Sequence, residues 1–502
     1  MRVLYVTAEL YPWVKSGGLG DVAAALPPAL CRLGLDTRLL LPGFPGFLDT
    51  LSGITDVARL YTPFASERVR VCLARLPGTD RFVYIVDQPA FYDRPGNPYA
   101  DSDGRDWPDN HRRFGLYSWV AAELARGADL NWRPDVLHAH DWHSGLAPAY
   151  VAASPAAGHV PTIFTIHNLA YQGLFPAAVF SELALPPGFF AIDGVEFNGV
   201  VSFMKAGLFF SDRLTTVSPT YAREIQTPAF GCGLEGLVNS RAQLLTGILN
   251  GVDPQIWDPR HDGVLPRPYS VEDAPAGKCA AKAALQARLG LDARDDAPLL
   301  GVVSRLTPQK GLDLLLAALP EIVAKGNPVA ILGSGDGDLE QGFATAADAN
   351  RGKIAVEIGY DEVLSHLIIG GSDIVLVPSR FEPCGLTQLY ALRYGTLPLV
   401  RRVGGLADTV VDATSVSLAE DTATGFAFDD ASPQALISTI DRAANLFREP
   451  ELWLRIMQRA MALDFSWEAA ARSYVTLYRD LITGTTLPTY WWYPSARAGV
   501  DP

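Results

Sequence analysis

The sequence predicts an α/β protein with two doubly wound parallel sheets. Short apolar runs typical of buried strands alternate with segments of helical periodicity, which is the pattern of successive βαβ units. The alternation is interrupted once, between about Asp258 and Pro298, where Pro, Asp, Ala and Gly dominate. A chain of 502 residues is too long for one ordinary core, so we expect two domains joined by this stretch.

The composition limits which partners the protein is expected to bind and which cellular compartment it is expected to occupy. Hydrophobic residues make up 48% and charged residues 19% of the chain, as in well-cored globular proteins, and no apolar run approaches the length of a membrane span. The formal charge, 41 − 55 = −14, disfavours nonspecific nucleic-acid binding. The cysteines are scattered without a C-x-x-C pair, which favours free thiols in a reducing cytoplasm. We expect a cytoplasmic protein with no nucleic-acid or membrane partner.

The first strand, Val3 to Thr7, leads into a glycine-rich loop, and a helix is predicted from about Asp21 to Leu33. In the loop, Gly17 and Gly18 lack side chains, so their backbone amides can approach a phosphate or a sugar closely. Lys15 stands beside them and can supply positive charge. Because the protein as a whole is acidic, each such cation is informative about an anionic substrate.

The segment Gly18-Leu-Gly20-Asp-Val-Ala23 also matches the G-x-G-x-x-A fingerprint of nicotinamide-dependent oxidoreductases. That fingerprint needs its first glycine directly after the strand and an acidic residue that closes the next strand. Here the strand ends several residues earlier. An oxidoreductase therefore stays an alternative of a different class, and the displaced glycine argues against it.

Two further strands each deliver a polar residue to the carboxyl edge of the first predicted sheet. The run from Asp135 ends at Asp141 and continues into a helix over Gly145 to Val151, and the run from Pro161 ends at His167. Ligands of open α/β sheets collect at this edge. Asp141 and His167 are therefore candidate site residues.

The histidines around Asp141 suggest a metal site, which we do not favour. A strand presents His138 and His140 on one face, whereas His143 lies beyond the turn. No further ligand cluster is evident in the sequence. We expect neither a metal ion nor an organic cofactor.

The other patterns of the first half fit the same alternation. They are strands at 37–41, 69–76, 82–86 and 213–217, a helix at 110–126 and an amphipathic segment at 197–210. Residues 92–108 form a turn-rich loop, which is either a surface excursion or a lid that contacts an acceptor. A turn signal around Asn250 ends this half.

The second half begins with an apolar strand pattern from Pro298 to Ser304, and a helix starts at Leu312. Arg305 and Lys310 bracket the loop between the strand and the helix. Two cations at a helix N-terminus after a parallel strand form a strong anion site, because fixed charge and amide dipoles add there.

A second crossover loop of this half carries Glu382. The strand pattern from Ser372 to Val377 ends at Pro378, and helical spacing resumes after Gly385. A carboxylate at such a crossover can bind hydroxyl groups, while the amides of the helix N-terminus attract anions. A sugar phosphate suits that environment.

The rest of the second half continues the alternation and ends in helices. Strands are predicted at 329–332, 397–401 and 424–428, and helices at 433–447, 450–463 and 467–481. An aromatic segment follows at 487–494, and we expect it to pack against a neighbouring surface.

Four of these segments resemble motifs of the bacterial glycogen synthase and plant starch synthase family. They read K-S-G-G-L-G-D-V from Lys15, T-I-H-N-L-A-Y-Q-G from Thr165, S-R-L-T-P-Q-K-G from Ser304 and R-F-E-P-C-G-L-T from Arg380. The motifs occur in the family's order and the resemblance covers nearly the whole chain.

Two residues differ from those in the usual motifs. Ser16 replaces the usual Thr but keeps the hydroxyl group, so contact with a phosphate is retained. Tyr390 occupies the second acidic position of the broader glycosyltransferase signature, as this family allows.

The resemblance implies a GT-B fold, in which two Rossmann-like domains face each other across a cleft and the last helix crosses back onto the first domain. The expected bounds are 1–254 for the first domain, 255–465 for the nucleotide-sugar domain, and 466–502 for the returning helix and tail.

The implied activity is transfer of glucose from ADP-glucose to the non-reducing 4-hydroxyl of an α-1,4-glucan such as glycogen, with retention at the anomeric carbon. Cations hold the diphosphate, a carboxylate binds the sugar, and no metal takes part. The catalytic residues implied are Asp141, His167, Arg305, Lys310 and Glu382. The substrate-binding residues implied are Lys15, Gly17, Gly18, Asp21, Asn250, Cys384, Gly385, Leu386 and Thr387.

Two further alternatives remain. Another retaining two-domain transferase that uses UDP-glucose would share these residues, because donor choice rests on the resemblance alone. A non-catalytic glucan-binding protein would not need a cationic diphosphate site, so Lys15, Arg305 and Lys310 argue against it.

Overall fold

The structure is a computed structural model that describes residues 1–154, 159–294 and 296–484. It contains two large, mainly parallel sheets with helices on their faces, which confirms the predicted α/β class and the two-sheet architecture. The aromatic segment 487–494 lies outside the described residues. In the part of the chain that the structure describes, no helix is long and apolar enough to cross a membrane.

The first sheet is built around the amino-terminal strand, which is apolar and buried throughout its last four residues. In space its strands run β12-β11-β7-β6-β1-β2-β5-β4-β3. The strands up to Gly247 are β1 Arg2–Val6, β2 Asp36–Pro42, β3 Ser52–Leu60, β4 Val69–Arg75, β5 Phe82–Asp87, β6 Val136–His140, β7 Thr162–Ile166, β8 Leu174–Pro176, β9 Glu196–Phe197, β10 Val200–Ser202, β11 Arg213–Thr216 and β12 Leu245–Gly247.

One edge of this sheet is antiparallel, which the sequence did not predict. Strand β3 pairs antiparallel with β4, and β4 with β5, whereas β5, β2, β1, β6, β7, β11 and β12 are mutually parallel. The short strands β8, β10 and β9 form a separate antiparallel sheet. The edge strand β3 was missed because Gly53, Asp56 and Arg59 are poor strand formers, tolerated at an exposed edge.

Helices connect the parallel strands of the first half. The helix predicted at 110–126 has those bounds, but the first helix begins at Gly18 instead of Asp21, so both residues lie in its first turn. The helices of this half are α1 Gly18–Arg32, α2 Pro45–Leu48, α3 Pro89–Tyr92, α4 Asn110–Arg126, α5 Leu146–Ala152, α6 Phe203–Phe210, α7 Pro219–Glu224 and α8 Glu235–Ser240.

The second sheet is entirely parallel and runs β15-β14-β13-β16-β17-β18 in space. Its strands are β13 Leu300–Val303, β14 Val329–Gly333, β15 Ile354–Ile358, β16 Ile374–Val377, β17 Leu397–Arg401 and β18 Phe426–Phe428. Counted within the sheet, this order is 3-2-1-4-5-6, that of a Rossmann-like fold. Ligands of such sheets bind where the order reverses, here between β13 and β16.

The helices of the second half cover both faces of this sheet and then continue to the chain's last described segment. They are α9 Ala274–Leu289, α10 Leu312–Ala324, α11 Gly337–Ala349, α12 Glu362–Gly371, α13 Thr387–Arg393, α14 Gly404–Thr409, α15 Ser415–Ala419, α16 Pro433–Phe447, α17 Pro450–Ala462 and α18 Trp467–Thr483.

The last helix packs on the first half. Trp467, Ala471, Tyr474 and Tyr478 of α18 are buried in the core of the first sheet. The Tyr478 hydroxyl lies 2.8 Å from Nδ1 of His138, which is in β6. The helix therefore returns to the first half as expected, while the domain bounds 1–254, 255–465 and 466–502 stay predictions.

The chain crosses between the halves twice, and the two crossings lie side by side. The Val252 amide donates to the Phe465 carbonyl at 2.7 Å, and Val252 bridges Ser466. Gly251 lies so close to the backbone of Trp467 that a Cβ atom there would collide with it. A pair of adjacent single-chain crossings is a narrow connection, which is the geometry of a hinge.

The segment after the first crossing is fixed to the second half by a buried polar cluster. Asp262 accepts hydrogen bonds from Tyr394, at 2.6 Å, and from His366, at 2.8 Å. The Trp257 ring is stacked between the rings of His366, at 3.9 Å, and Tyr390, at 4.0 Å. The Pro- and Asp-rich stretch predicted as a hinge is thus packed against the second core over this part of its length.

We expect the Asp262–His366 pair to make stability depend on pH. Burial alone would lower the pKa of His366, but its bonds to Asp262 and Glu362 raise that pKa to about 9. A raised pKa gives stabilisation that is complete below the unfolded value of about 6.5 and is lost as pH rises to about 9. Urea unfolding of wild type and His366→Gln should therefore differ by up to about 3 kcal/mol at pH 6, and by much less at pH 9.5. A difference that is the same at both pH values would contradict this account.

Candidate functional site

The loops after β13 and β16 meet at the point where the order of the second sheet reverses. The single turn Pro308–Lys310 follows β13 and ends at Gly311, whose φ of +69° favours glycine. A Cβ atom on Gly311 would collide with the carbonyl oxygen of Pro378, the first residue after β16. Glycine at this position therefore lets the two loops touch and brings Lys310 to the second loop.

Lys310 and Glu382 form an ion pair at this junction. The Lys310 Nζ lies 2.6 Å from Oε2 of Glu382, and the Ser379 hydroxyl donates to the same oxygen at 2.9 Å. The side chains of Lys310 and Glu382 are 20% and 9% exposed. The sequence analysis assigned Lys310 to the diphosphate of the donor and Glu382 to its sugar, and the structure places the two side chains in direct contact.

The pair lies in the wall of a pocket at the carboxyl edge of the sheet. Gly385, Leu386 and Thr387 share that wall with Ser304 and the two charged residues. Thr387 begins helix α13, so the start of a helix faces the same pocket as the ammonium group of Lys310. The combination suits a ligand with an anionic part and a hydroxyl-bearing part.

The position of Glu382 depends on a glycine pair from the next crossover. The Gly405 amide donates to the Glu382 carbonyl at 3.2 Å. Gly404 has a φ of +44°, and a Cβ atom there would collide with that same carbonyl oxygen. The Gly404-Gly405-Leu406 sequence is therefore needed for the close approach of the two loops.

Arg305 differs from Lys310 in its surroundings. Its side chain is exposed and forms no hydrogen bond or ion pair within the described residues, and it is not part of the pocket wall. The side chain of this arginine is available to an anion that enters from the cleft. The structure thus brings Lys310 and Glu382 together but leaves Arg305 at the rim.

Cys384 and Asn250 meet where the halves join, and neither lines the pocket. Both residues are buried, and Cys384 belongs to the core of the first half although it lies in the second. Burial raises the pKa of the Cys384 thiol to about 12, although a hydrogen bond from the Asn250 backbone opposes the rise. The thiol is therefore neutral and packs the loop after β16, which carries Glu382, against the first half.

The glycine-rich loop of the first half holds an internal carboxylate that the sequence did not flag. Oε2 of the buried Glu9 accepts hydrogen bonds from the amides of Ser16, at 2.8 Å, and Gly17, at 3.1 Å. Its other oxygen accepts from the Tyr99 hydroxyl at 2.6 Å. The expectation that the Gly17 amide is open to a phosphate is therefore wrong for this structure, because Glu9 already occupies it.

Beside this loop, Lys15 and Asp21 form an ion pair of 2.9 Å. Burial raises the pKa of Asp21, and the Lys15 charge opposes that rise without cancelling it. Gly17 and Gly18 are exposed, with no heavy atom within 4 Å of the position of a Cβ. Space for a ligand therefore exists along this loop, even though the Gly17 amide is occupied.

The nicotinamide alternative finds no support in this geometry. Strand β1 ends at Val6, and Gly18 is the first residue of α1. A dinucleotide fingerprint needs its first glycine in the tight turn directly after the strand. Here a loop containing Glu9 and Lys15 separates the two.

Asp141 lies in a strained conformation at the end of β6. Its φ of 55° and ψ of 178° belong to a region that glycine almost alone adopts. The strained backbone aims the carboxylate at the next loop, where Oδ1 accepts from the amides of His167, at 2.7 Å, and Asn168, at 3.4 Å. Burial raises the pKa of Asp141 to about 7. The residue fixes the loop that carries His167.

His167 is hydrogen-bonded to a second histidine. Nε2 of His167 lies 3.0 Å from Nδ1 of His140 in the neighbouring strand. Burial lowers the pKa of His167 to about 3 and that of His140 well below its ordinary value, so both rings are neutral. In the described residues no group of three His, Cys, Asp or Glu side chains is placed to hold a metal ion.

The two halves contact each other beside the site. The Thr220 hydroxyl of α7 donates to Asp408 at 2.6 Å, and the Gly404 amide donates to Glu224 at 2.9 Å. The Tyr221 and Phe381 rings meet edge to face at 5.4 Å. The loop after β16 is therefore in contact with the first half just before Glu382.

A tyrosine on the second half, Tyr360, lies close enough to Asp21 for the Asp21 charge to raise its pKa, and it was not predicted from the sequence. Tyr360 is 76% exposed and donates a hydrogen bond to Glu362. Burial and Glu362 are the main causes that raise its pKa, and Asp21 adds to them. An aromatic residue just beyond β15, at the carboxyl edge of the second sheet where ligands collect, is the signal that could have identified it.

Comparisons with known proteins agree with the motifs. Residues 2–240 match the family model described as starch synthase catalytic domain, and residues 287–452 match glycosyl transferases group 1. A glycogen synthase of Francisella philomiragia is 52% identical over 96% of this chain and 100% of its own length. One of Francisella tularensis subsp. novicida is 51% identical over 96% of this chain and 99% of its own.

Solved structures show the same architecture. The catalytic domain of starch synthase IV from Arabidopsis thaliana, bound to ADP and acarbose, has a TM-score of 0.85 and 31% identity, covering 96% of this chain and 99% of that one. A sucrose-phosphate synthase from Thermosynechococcus elongatus has a TM-score of 0.59 at 18% identity, with 96% and 99% coverage. The latter shows a shared fold alone. Together with the sheet order they confirm the predicted pair of Rossmann-like domains.

We expect Gly404→Ala to impair the site through the Glu382 loop. A side chain would strain the backbone at positive φ, at a cost of about 1–3 kcal/mol, and would push the Glu382 carbonyl away. Gly290→Ala is the matched control, because Gly290 has a φ of +65° but open space around its Cβ position. Both variants should lose thermal stability, whereas catalytic activity should fall about tenfold or more in Gly404→Ala alone. Equal activity of the two variants would contradict the proposed packing role.

Proposed function

The chain belongs to the glycogen synthase family, and from that premise we propose that it transfers glucose from ADP-glucose to the non-reducing 4-hydroxyl of an α-1,4-glucan, with retention at the anomeric carbon. The observation that carries this proposal is the Lys310–Glu382 pair in the pocket between β13 and β16. ADP as the nucleotide is supported by the starch synthase IV structure, which is bound to ADP.

Departure of the nucleoside diphosphate is the step that the cations serve. Cleavage of the glycosidic bond builds negative charge on the β-phosphate and positive charge on the anomeric carbon. Lys310 and Arg305 are the proposed diphosphate contacts in the second half, and Lys15 is the proposed contact in the first. Fixed cations that need no reorganisation stabilise this charge best.

Glu382 is proposed to bind the glucose of the donor. In this structure its carboxylate is satisfied by Lys310 and Ser379. A bound diphosphate attracts Lys310, so the carboxylate then accepts hydrogen bonds from glucose hydroxyls and stabilises positive charge at the anomeric carbon. Exchange of ion-pair partners links donor binding to organisation of the sugar site.

Transfer is proposed to occur on one face of the glucose. No side chain in the set presents an unambiguous covalent nucleophile, because Asp141 is held by the His167 and Asn168 amides. The leaving phosphate accepts the proton of the acceptor hydroxyl as the new bond forms. His167 and Asp141 shape the side of the cleft where glucose and acceptor meet.

Tyr360 is proposed as a contact for the nucleobase. Its exposed ring lies on the second half beside Glu362 and faces the Lys15–Asp21 side of the cleft. A flat aromatic face stacks well on a purine or a pyrimidine. UDP-glucose therefore remains the competing donor, and stacking alone does not choose between the two.

The direct test is a donor panel. We expect ADP-glucose plus glycogen to yield ADP and longer glucan chains, and UDP-glucose at the same concentration to be used much more slowly. Activity should persist in chelator, because Lys and Arg supply the positive charge that a metal would provide. Faster transfer from UDP-glucose would overturn the assigned donor, and loss of activity in chelator that one metal restores would overturn the metal-free account.

A second test separates Lys310 from Glu382. Lys310→Ala should weaken ADP binding at least tenfold and slow transfer by about two orders of magnitude, because ADP keeps both phosphates. Glu382→Gln removes the charge that holds Lys310 but retains side-chain size, so ADP affinity should stay equal or rise while turnover falls steeply. The exposed Lys353 provides a control, since Lys353→Ala removes the same charge far from the pocket.

Isothermal titration with ADP and initial rates with ADP-glucose give both quantities. If Glu382→Gln loses ADP affinity as severely as Lys310→Ala, Glu382 belongs to the nucleotide site and its assignment to the sugar is wrong.

A further inference from the structure

The histidine pair of the first half has an asymmetry that bears on the proposed reaction. His140 is fully buried, and its ring packs 4.0 Å from the rings of Tyr5 and His138. Its Nδ1 faces Nε2 of His167 at 3.0 Å, but its Nε2 is buried without a hydrogen-bond partner. His167, in contrast, is partly exposed, and its Nδ1 makes no hydrogen bond within the described residues.

Nearby polar groups do not satisfy the free nitrogen of His140. Both ring nitrogens of His138 are already engaged, by the Tyr478 hydroxyl at 2.8 Å and the Thr165 hydroxyl at 2.6 Å. The Tyr5 hydroxyl is also buried without a partner, and no hydrogen bond joins it to His140 within the described residues. The unpartnered state of Nε2 is therefore a property of the packing around it.

Two neutral histidines can share one hydrogen bond in two ways. In the first arrangement, Nδ1–H of His140 donates to Nε2 of His167, and Nε2 of His140 carries only a lone pair. In the second, Nε2–H of His167 donates to Nδ1 of His140, and Nε2 of His140 then carries a proton. That proton would be buried with no acceptor.

The energetic difference between the arrangements favours the first. A buried N–H without an acceptor costs about 1–3 kcal/mol, and orphaned buried N–H groups are rarer in proteins than unsatisfied acceptors. Nε2 of His140 is therefore the unprotonated nitrogen, and Nδ1 is the donor. It follows that Nε2 of His167 is an acceptor and that the single proton of His167 resides on Nδ1.

We propose that His140 is a positioning residue that fixes His167 in the Nδ1–H tautomer, so that His167 presents a hydrogen-bond donor to a substrate oxygen. The tautomer follows from the buried pair alone, and the identity of the acceptor oxygen rests on the proposed function. A neutral donor at this place orients a sugar hydroxyl or ring oxygen, and it does not remove a proton from the acceptor. This agrees with a reaction in which the leaving phosphate takes that proton.

The tautomer can be measured without any substrate. In protein labelled with 15N-histidine, long-range 15N–1H correlation spectra distinguish protonated from unprotonated ring nitrogens, and His140→Leu and His167→Gln assign the two rings. We expect a protonated Nδ1 and an unprotonated Nε2 for both residues at pH 7. A protonated Nε2 on His167 overturns the proposal. Because no catalysis is involved, this result is independent of whether ADP-glucose is the donor.

A pair of variants tests the consequence for catalysis. His140→Leu removes the donor and should lower kcat about 10- to 100-fold, with a smaller change in KM, as His167 then populates both tautomers. His140→Asn retains an amide N–H near the position of Nδ1 and should restore most of the activity and the Nδ1–H signal of His167. His138→Gln is the control, because His138 is equally buried but contacts Tyr478 and Thr165 instead of His167.

Each outcome of these measurements either supports or overturns the positioning role of His140. Rescue by Asn, together with an unchanged His167 tautomer in His138→Gln, supports a positioning role. Unchanged kcat and an unchanged His167 signal in His140→Leu overturn it, as does loss of the His167 signal in His138→Gln, which would indicate general packing. If His140→Leu fails to fold, the wild-type spectrum and His140→Asn still decide.

Discussion

The ion pair between Lys310 and Glu382 is the interaction on which the second half of the site depends. A partly buried ion pair adds little to stability, since the loss of hydration offsets most of the attraction. Two sterically restricted glycines nevertheless make the close approach that forms this ion pair possible. Gly311 admits the Pro378 carbonyl, and Gly404 admits the Glu382 carbonyl. Three crossover loops therefore converge on one ion pair, and this arrangement serves the geometry of the site more than the stability of the fold.

The first half uses the same sheet edge in a different way. Its polar groups hold each other: Glu9 occupies the amides of the glycine loop, Asp141 holds the His167 loop, and His140 contacts the His167 ring. These mutual contacts fix the positions of the polar groups, so little further ordering of them would be required when the proposed donor binds. The movable connection lies elsewhere, at the adjacent crossings of Val252 and Ser466.

Much of the fold and of the candidate site could be predicted because the sequence patterns that specify them are local. The alternating patterns located most strands and helices, and the crossover loops located Lys310, Glu382, Asp141 and His167 at the correct edges. What was missed is set by contacts between distant segments. Glu9 reads as an ordinary acidic residue until Tyr99 and the loop amides close around it. Cys384 and Asn250 are buried where the halves join, and their substrate-binding role stays a prediction.

The ion pairs of the candidate site explain how an acidic protein can hold cations in position for the proposed diphosphate. Lys15 is paired with Asp21 and Lys310 with Glu382, so each lysine is neutralised by a carboxylate that is itself close to the cleft. In the proposed reaction, Arg305, whose side chain has no partner within the described residues, supplies the unbalanced charge that first attracts the donor. The phosphates of the proposed donor then replace the carboxylates as partners of the lysines, and the released Glu382 carboxylate accepts hydrogen bonds from sugar hydroxyls. In this proposal the paired carboxylates hold the cations in place before binding, Glu382 contributes to recognition after it, and the buried Glu382 carboxylate has a partner in both states.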